Sequence, residues 1–252
     1  MTAAQTASGH SVDAGEIARF NALADEWWDP RGPMAPLHRL NPLRLAWLRD
    51  ALCAKFGRDP LGVRPLAGLR LLDVGCGAGL LSEPLARLGA DVTGIDAAAE
   101  NIRTAQAHAL RMDLAIDYRA VPAEALAAAG ERFDGVLAME VVEHVSDVPF
   151  FLGTLGGLAR PGDLVALSTL NRTARSFALG VVAAEYVLRW VPRGTHDWRK
   201  FVRPSELAGG LRRAGVAVRD MTGVVYDPLR DEFRLDRRDL AVNYMLWGEK
   251  AA

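Results

Sequence analysis

Two stretches of this sequence hold residue types at spacings that chemistry can use. The first, Leu69 to Asp96, reads LRLLDVGCGAGLLSEPLARLGADVTGID: an apolar run ends at Asp73 and Val74, then Gly75, Gly77 and Gly79 alternate with Cys76 and Ala78. Glycine adopts dihedrals closed to other residues and lets a ligand lie against bare backbone. A helix N-terminus beyond such a turn favours negative charge. The second stretch is Met139-Glu140-Val141-Val142-Glu143-His144. If the chain turns helical there, Glu140, Glu143 and His144 fall at i, i+3 and i+4 on one face. Two carboxylates and an imidazole so placed can hold a hard cation such as Mg2+, or His144 can act as a general base. The plainer alternative leaves the acids in solvent and His144 as a helix cap.

The spacing of the glycines narrows the ligand. A dinucleotide fingerprint reads G-x-G-x-x-G, whereas this loop reads G-x-G-x-G and Leu80 stands where the third glycine belongs. Asp73, beside the loop, would repel a pyrophosphate and suits a ligand with an ammonium group. Asp96 ends the next strand, where a carboxylate can accept hydrogen bonds from both ribose hydroxyls. A nucleoside that carries an amino acid satisfies both aspartates, and S-adenosylmethionine is such a molecule. The structural alternative is a turn that only tightens strand-to-helix packing, with Asp73 as a cap.

These residues need a scaffold that brings them to one edge. After Pro65 the pattern alternates: RLLDV, DVTGID, AIDYRA, FDGVLAM and DLVALSTL read as strands, and LLSEPLARLG and residues 98–111 as helices. Strands alternating with helices imply a parallel sheet covered on both faces, with ligands at the carboxyl ends of its strands. Before it, DAGEIARFNALADEWW reads as a helix with Asp13 as N-cap and Glu16 completing a capping box. Pro30, Gly32, Pro33 and Pro36 form a turn-rich connector, and NPLRLAWLRDALCAKF resumes a helix with Asn41 as N-cap and Pro42 in its first turn. That start puts Arg44 where the helix dipole disfavours a cation, so an anionic partner is expected. Trp27, Trp28 and Trp47 line a pocket or pack the helices on the sheet. VAVRDMTG and LAVNYMLWG read as an antiparallel close of the sheet, RDEFRLDRRD as a solvated loop, and residues 1–12 as disordered.

Composition excludes several classes. The chain has 252 residues, half of them hydrophobic, and a formal net charge of −1, so nothing suggests nucleic-acid binding. Two cysteines, Cys53 and Cys76, are too few for a disulfide framework. No signal-like run opens the sequence and no segment reaches the roughly 20 apolar residues of a spanning helix. A cytoplasmic protein is expected.

At D-V-G-C-G-A-G and Asp96 the chain resembles the class I S-adenosylmethionine-dependent methyltransferases. FNALADEWWDPRGPMAPLHRLNPLRL, MEVVEHVSD and STLNRTARSFALGVVAAEYVLRWVPRGTHDWRKFVRP, with VNYML near the end, narrow the likeness to the ubiquinone-biosynthesis O-methyltransferase family over about residues 15–250. The resemblance implies a Rossmann-like α/β fold: a mainly parallel seven-stranded sheet with an antiparallel C-terminal strand, in a single domain over residues 13–252. Residues 13–65 form its helical cap and 172–200 an insertion after strand five. It implies S-adenosylmethionine as co-substrate, with Arg44 at its carboxylate and Met139 beside its adenosine, together with Asp73, Gly75, Gly77 and Asp96. It supports Glu140, Glu143 and His144 as a Mg2+ site in eukaryotic relatives, and leaves metal dependence here open. The acceptor implied is a polyprenylated phenol or catechol.

In the insertion, Phe177, Leu179, Tyr186, Leu188 and Trp190 lie between Arg172, Arg175, Arg189, Arg193 and Arg199. That pattern suits a helix in a membrane interface or a lid over the site. Peripheral contact with the inner face of the cytoplasmic membrane and with other proteins of the pathway follows as an expectation. His196 and Asp197 either join the lid or form a turn. The rival readings are an NAD-type oxidoreductase, a methyltransferase for another acceptor, and a non-catalytic scaffold on a membrane.

Overall fold

The computed structural model describes residues 11–179, 197–227 and 230–252. Helix α1 (Ala14–Ala22) starts at Asp13, whose carboxylate accepts from the backbone N–H groups of Gly15 (2.8 Å) and Glu16 (3.3 Å). Glu16 does not complete a capping box; its carboxylate turns elsewhere, as described below. Residues 1–10 of the segment expected to be disordered lie outside the described residues. Ser11 is buried, and its carbonyl accepts from the backbone and the hydroxyl of Ser146.

Helix α2 (Ala35–Phe56) begins six residues before the Asn41 cap expected from the sequence, with Pro36 in its first turn. Pro42 is therefore inside the helix, where it lacks the N–H that would reach the carbonyl of His38. Arg44 sits well past the first turn, so the dipole argument for its partner falls. Its partner has a tertiary origin.

The βα alternation follows. Strands β1 (Arg70–Val74), β2 (Asp91–Ile95), β3 (Asp117–Arg119), β4 (Phe133–Met139) and β5 (Ala159–Leu170) are parallel, joined through α3 (Ser82–Arg87), α4 (Ala99–Arg111), α5 (Ala123–Ala128) and α6 (Val148–Leu158). The residues ARPGD (159–163) form the start of β5, where the register against β4 shifts. After α7 (Ala174–Ser176), residues 180–196 lie outside the described residues, and with them Arg189, Trp190, Arg193 and His196 of the predicted insertion. The chain then gives α8 (Pro204–Arg213), β6 (Val216–Asp227), β7 (Glu232–Asp236) and β8 (Asn243–Lys250).

The sheet has eight strands in the order β3-β2-β1-β4-β5-β8-β6-β7, one more than expected. The extra strand is β7, EFRLD, from the stretch read as a solvated loop. Phe233 and Leu235 alternate with charged residues along it, and it pairs antiparallel with β6. β8 runs antiparallel between β5 and β6.

Successive side chains of a strand point to opposite faces, and the buried residues divide accordingly. Leu72, Val136 and Val165 pack on one face with Phe133, Phe151 and Leu155; Leu71, Leu137 and Ala166 pack on the other with Leu48 and Leu52 of α2. The chain order reverses at β1, with β2 on one side and β4 on the other, so a crevice opens beyond their carboxyl ends.

Tyr244 on β8 is fully buried and its hydroxyl donates to the carbonyl of Val202 (2.9 Å), which anchors the segment that follows the insertion. Tyr244→Phe leaves that buried carbonyl without its donor and should lower stability by about 1–2 kcal/mol, read from urea unfolding.

Candidate active site

The loop after β1 is shaped by three positive-φ glycines, Gly75 (68°), Gly77 (55°) and Gly79 (90°). A side chain is strained at such dihedrals. The room that the missing Cβ atoms leave is taken by the protein itself. A Cβ on Gly75 would lie 2.6 Å from Val141, and one on Gly77 would lie 2.2 Å from the Trp27 ring. Trp27 therefore lies across the loop, with its indole N–H donating to Asn101 Oδ1 (3.0 Å). Trp28 donates to the carbonyl of Ala78 (3.1 Å) and stacks on His108 at a centroid distance of 3.5 Å. His108 in turn meets the buried carboxylate of Glu83 (2.6 Å). Trp47 is a core residue between α2 and the sheet. The first two tryptophans fasten the cap to the loop and the third fastens α2.

A cavity of about 720 Å³ opens at the switch point. It is lined by Arg44, Asp73, Gly75, Asp96, Met139, Glu140, Glu143 and His144, so one space gathers the residues singled out from the sequence. Gly79 lies off that lining, as does Gly77. Gly77 faces Trp27, and its backbone N–H donates to Asp96 Oδ2 (2.9 Å) while Ala98 N–H donates to Oδ1 (2.7 Å). Those two bonds fix the Asp96 carboxylate at the end of β2. Asp73 is buried and accepts from the Ser82 hydroxyl (2.6 Å). Burial, more than the Ser82 bond relieves, raises its pKa to about 7, with the negative charge of Asp96 adding to the effect. Burial likewise raises Asp96. Two carboxyls strained toward neutrality in one cavity favour a cationic ligand group.

Arg44 is buried and ion-paired through Nη2 with Glu140 Oε1, and its Nε–H has no partner among the described residues. An anionic ligand group beside it would satisfy that donor.

The EVVEH segment departs from the predicted α-helical face. β4 ends at Met139, Glu140 takes a left-handed φ of 58°, and only Val142–His144 form a short 3-10 turn. Glu140 is held back by Arg44, by the Ser168 hydroxyl (2.7 Å) and by Asn243 Nδ2 (2.9 Å). Glu143 accepts from the Thr169 hydroxyl (2.8 Å), and burial followed by the charge of Glu140 raises its pKa. His144 Nδ1 lies 3.2 Å from Glu16 Oε2 of α1. Burial alone would lower the imidazole's pKa, but the Glu16 bond and the charges of Glu143, Glu16 and Glu140 together raise it. The reciprocal bond with His144 is the main cause that holds Glu16 down at about 2.

Each of the three predicted ligands thus has a separate partner. Among the described residues no group of three His, Cys, Asp or Glu side chains is arranged to hold a metal ion. As folded, the three donors are not gathered about one Mg2+ position, and Glu140 Oε1 is committed to Arg44, Ser168 and Asn243.

Sequence reasoning missed Glu16, Ser168, Thr169 and Asn243. The polar pair that ends the apolar strand DLVALSTL is a legible sign of a site at its carboxyl edge. Asp197, by contrast, caps the 198–200 turn by accepting from Arg199 N–H (3.0 Å). Arg172 and Arg175 form ion pairs with Glu206 and Asp239.

A family model described as a methyltransferase domain matches residues 43–220. The ubiquinone biosynthesis O-methyltransferase of Methylobacterium sp. (strain 4-46) is 58% identical, over 97% of this chain and 98% of its own length. That of Sinorhizobium fredii is 56% identical (95% and 96%), and that of Brucella ovis 53% (96% and 97%). Among solved structures, the magnesium protoporphyrin IX methyltransferase of Synechocystis with bound SAH aligns with a TM-score of 0.63 at 18% identity, over 94% of this chain and all of that one. The N-methyltransferase NodS of Bradyrhizobium japonicum with S-adenosyl-L-homocysteine gives 0.59 at 17% (94% and 98%).

A ligand ammonium favours the ionised form of Asp73, so its binding expels the proton that this side chain holds below about pH 7. The dissociation constant of S-adenosylhomocysteine should therefore rise as pH falls below 7, toward about tenfold per pH unit. Calorimetry at pH 6 in buffers of different ionisation enthalpy should register proton release, and Asp73→Asn should abolish it.

Proposed function

This chain belongs to the ubiquinone biosynthesis O-methyltransferases, and from that premise we propose how its residues divide the work. The enzyme transfers a methyl group from S-adenosylmethionine to a ring hydroxyl of a polyprenylated phenolic intermediate. The cofactor lies along the Gly75–Gly79 loop. Asp96 takes the ribose hydroxyls, Met139 flanks the adenine, Asp73 faces the ammonium and Arg44 the carboxylate.

A neutral phenol has a pKa near 10 and is a weak nucleophile. Its oxygen attacks the methyl carbon in line with the carbon–sulfur bond, the electron pair of that bond stays on sulfur, and the phenolic proton must leave. His144 takes it. One observation carries this assignment: His144 lines the cavity and commits Nδ1 to Glu16, which leaves Nε2 for the substrate. A carboxylate so placed fixes the imidazole tautomer and favours the imidazolium that forms. The ties of Glu140 to Arg44, Ser168 and Asn243 support a base mechanism over a Mg2+ ion.

No helix among the described residues is long and apolar enough to cross a membrane. We infer peripheral contact through the segment after β5, where Phe177 and Leu179 are exposed, because the acceptor's tail partitions into lipid.

Methyl label should pass from S-adenosylmethionine to a short-chain prenylated catechol at a rate unaffected by a chelator. His144→Gln should lower that rate by about 10²–10⁴-fold and leave S-adenosylhomocysteine affinity unchanged. The rate should rise with pH as His144 loses its proton, above the ordinary histidine pKa. Glu16→Gln, which removes the bond that raises it, should move that limb to lower pH. Activity lost to chelator and restored by Mg2+ would overturn the base assignment.

A further inference from the structure

The cavity reaches beyond the cofactor's residues into an arm between α2 and the β6–β7 pair. On α2, Leu37, Leu40 and Arg44 fall at i, i+3 and i+7, one stripe along the helix. At 1.5 Å per residue it runs about 10 Å. Facing it are Val224 and Tyr226, which point the same way along β6, and Phe233, the register partner of Tyr226 on β7. The exposed Arg39–Asp231 ion pair (2.6 Å) ties α2 to the residue before β7, and the Tyr226 hydroxyl donates to the same carboxylate (2.6 Å). The inner end is polar. Asn243, first residue of β8, pairs in register with Leu170 on one side and Val224 on the other.

Asn243 is 9% exposed and lines the cavity. Its Nδ2 donates to Glu140 Oε1 (2.9 Å), which sets the orientation of the amide. Its Oδ1 is then a buried acceptor with no partner among the described residues. Leaving such an acceptor unmet is unfavourable, so a ligand donor gains by reaching it.

Resting on the O-methylation reading, we propose that this arm is the acceptor subsite: Asn243 Oδ1 receives a hydrogen bond from the ring hydroxyl that is not methylated, and the prenyl substituent lies between Leu37 and Leu40 of α2 and Val224 and Phe233 of the β6–β7 pair. A polar floor and two apolar walls match an amphipathic acceptor. The floor selects a hydroxyl adjacent to the reacting one, and the walls select hydrocarbon.

The test compares farnesylated catechol, farnesylated monophenol and unprenylated catechol, by turnover and by equilibrium binding with S-adenosylhomocysteine present. The native enzyme should prefer the farnesylated catechol to the monophenol about tenfold or more in kcat/KM. Asn243→Ala should bring that ratio close to one, and S-adenosylhomocysteine should still bind, since Arg44 and Ser168 hold Glu140 in place. Phe233→Glu should raise KM for farnesylated catechol at least tenfold and leave KM for unprenylated catechol as it was; retained S-adenosylhomocysteine binding reports that both variants fold. An unchanged ratio in Asn243→Ala, a matching loss of S-adenosylhomocysteine affinity, or equal KM effects of Phe233→Glu on both catechols would overturn the subsite. Binding that follows these rules without turnover by the native enzyme would instead sink the O-methylation reading and leave the subsite standing.

Discussion

The ion pair between the buried Arg44 and the half-buried Glu140 is the constraint on which the rest of the site depends. Taking a guanidinium and a carboxylate out of water costs several kcal/mol per ion, and the pair alone does not reliably recover it. Here the carboxylate also accepts from Ser168 on β5 and Asn243 on β8. α2 is thereby tied to the carboxyl ends of β4 and β5 and to the start of β8, and Glu140 is held in a left-handed conformation that a non-glycine residue rarely adopts. That kink ends β4 at Met139 and sends Glu143 and His144 along separate paths. A straight helical continuation would have put both on one face with Glu140, which is a different site.

The glycine loop shows a second division of labour. Its bare backbone accommodates the cap as well as a ligand, since Trp27 covers Gly77 and Trp28 holds Ala78. The cap is thus in register with the loop proposed to bind the cofactor. α1, positioned by the same packing, delivers Glu16 to His144, while Lys200 (3.4 Å) and Arg19 (3.4 Å) surround the same carboxylate. The electrostatics of the site therefore arise from elements far apart in sequence.

What was legible in the sequence follows from range. Asp73, the three glycines and Asp96 sit within one βα unit, so their spacing alone states their geometry. For Arg44 the helix-dipole argument failed: Asn41-Pro42 imitates a helix start, but the helix had already begun at Ala35 and tolerates the proline. Glu16 was hidden because the capping pattern with Asp13 offered it a local partner. β7 was hidden by charge density, although Phe233 and Leu235 keep a period of two. Asn243 could not be found locally. Its function depends on strand pairing with Leu170 and Val224, and no short-range pattern encodes that.

The place of β8 has a consequence for how the molecule is made. This strand lies between β5 and β6, both of which precede it along the chain. Until residues 243–250 have left the ribosome, two long strands present raw edges, each a template for pairing with another nascent chain. The same late strand carries Tyr244 and Asn243. Emergence of β8 therefore completes the sheet, locks the segment after the insertion and finishes the catalytic crevice together, and the interval before it is when this protein has most need of a chaperone.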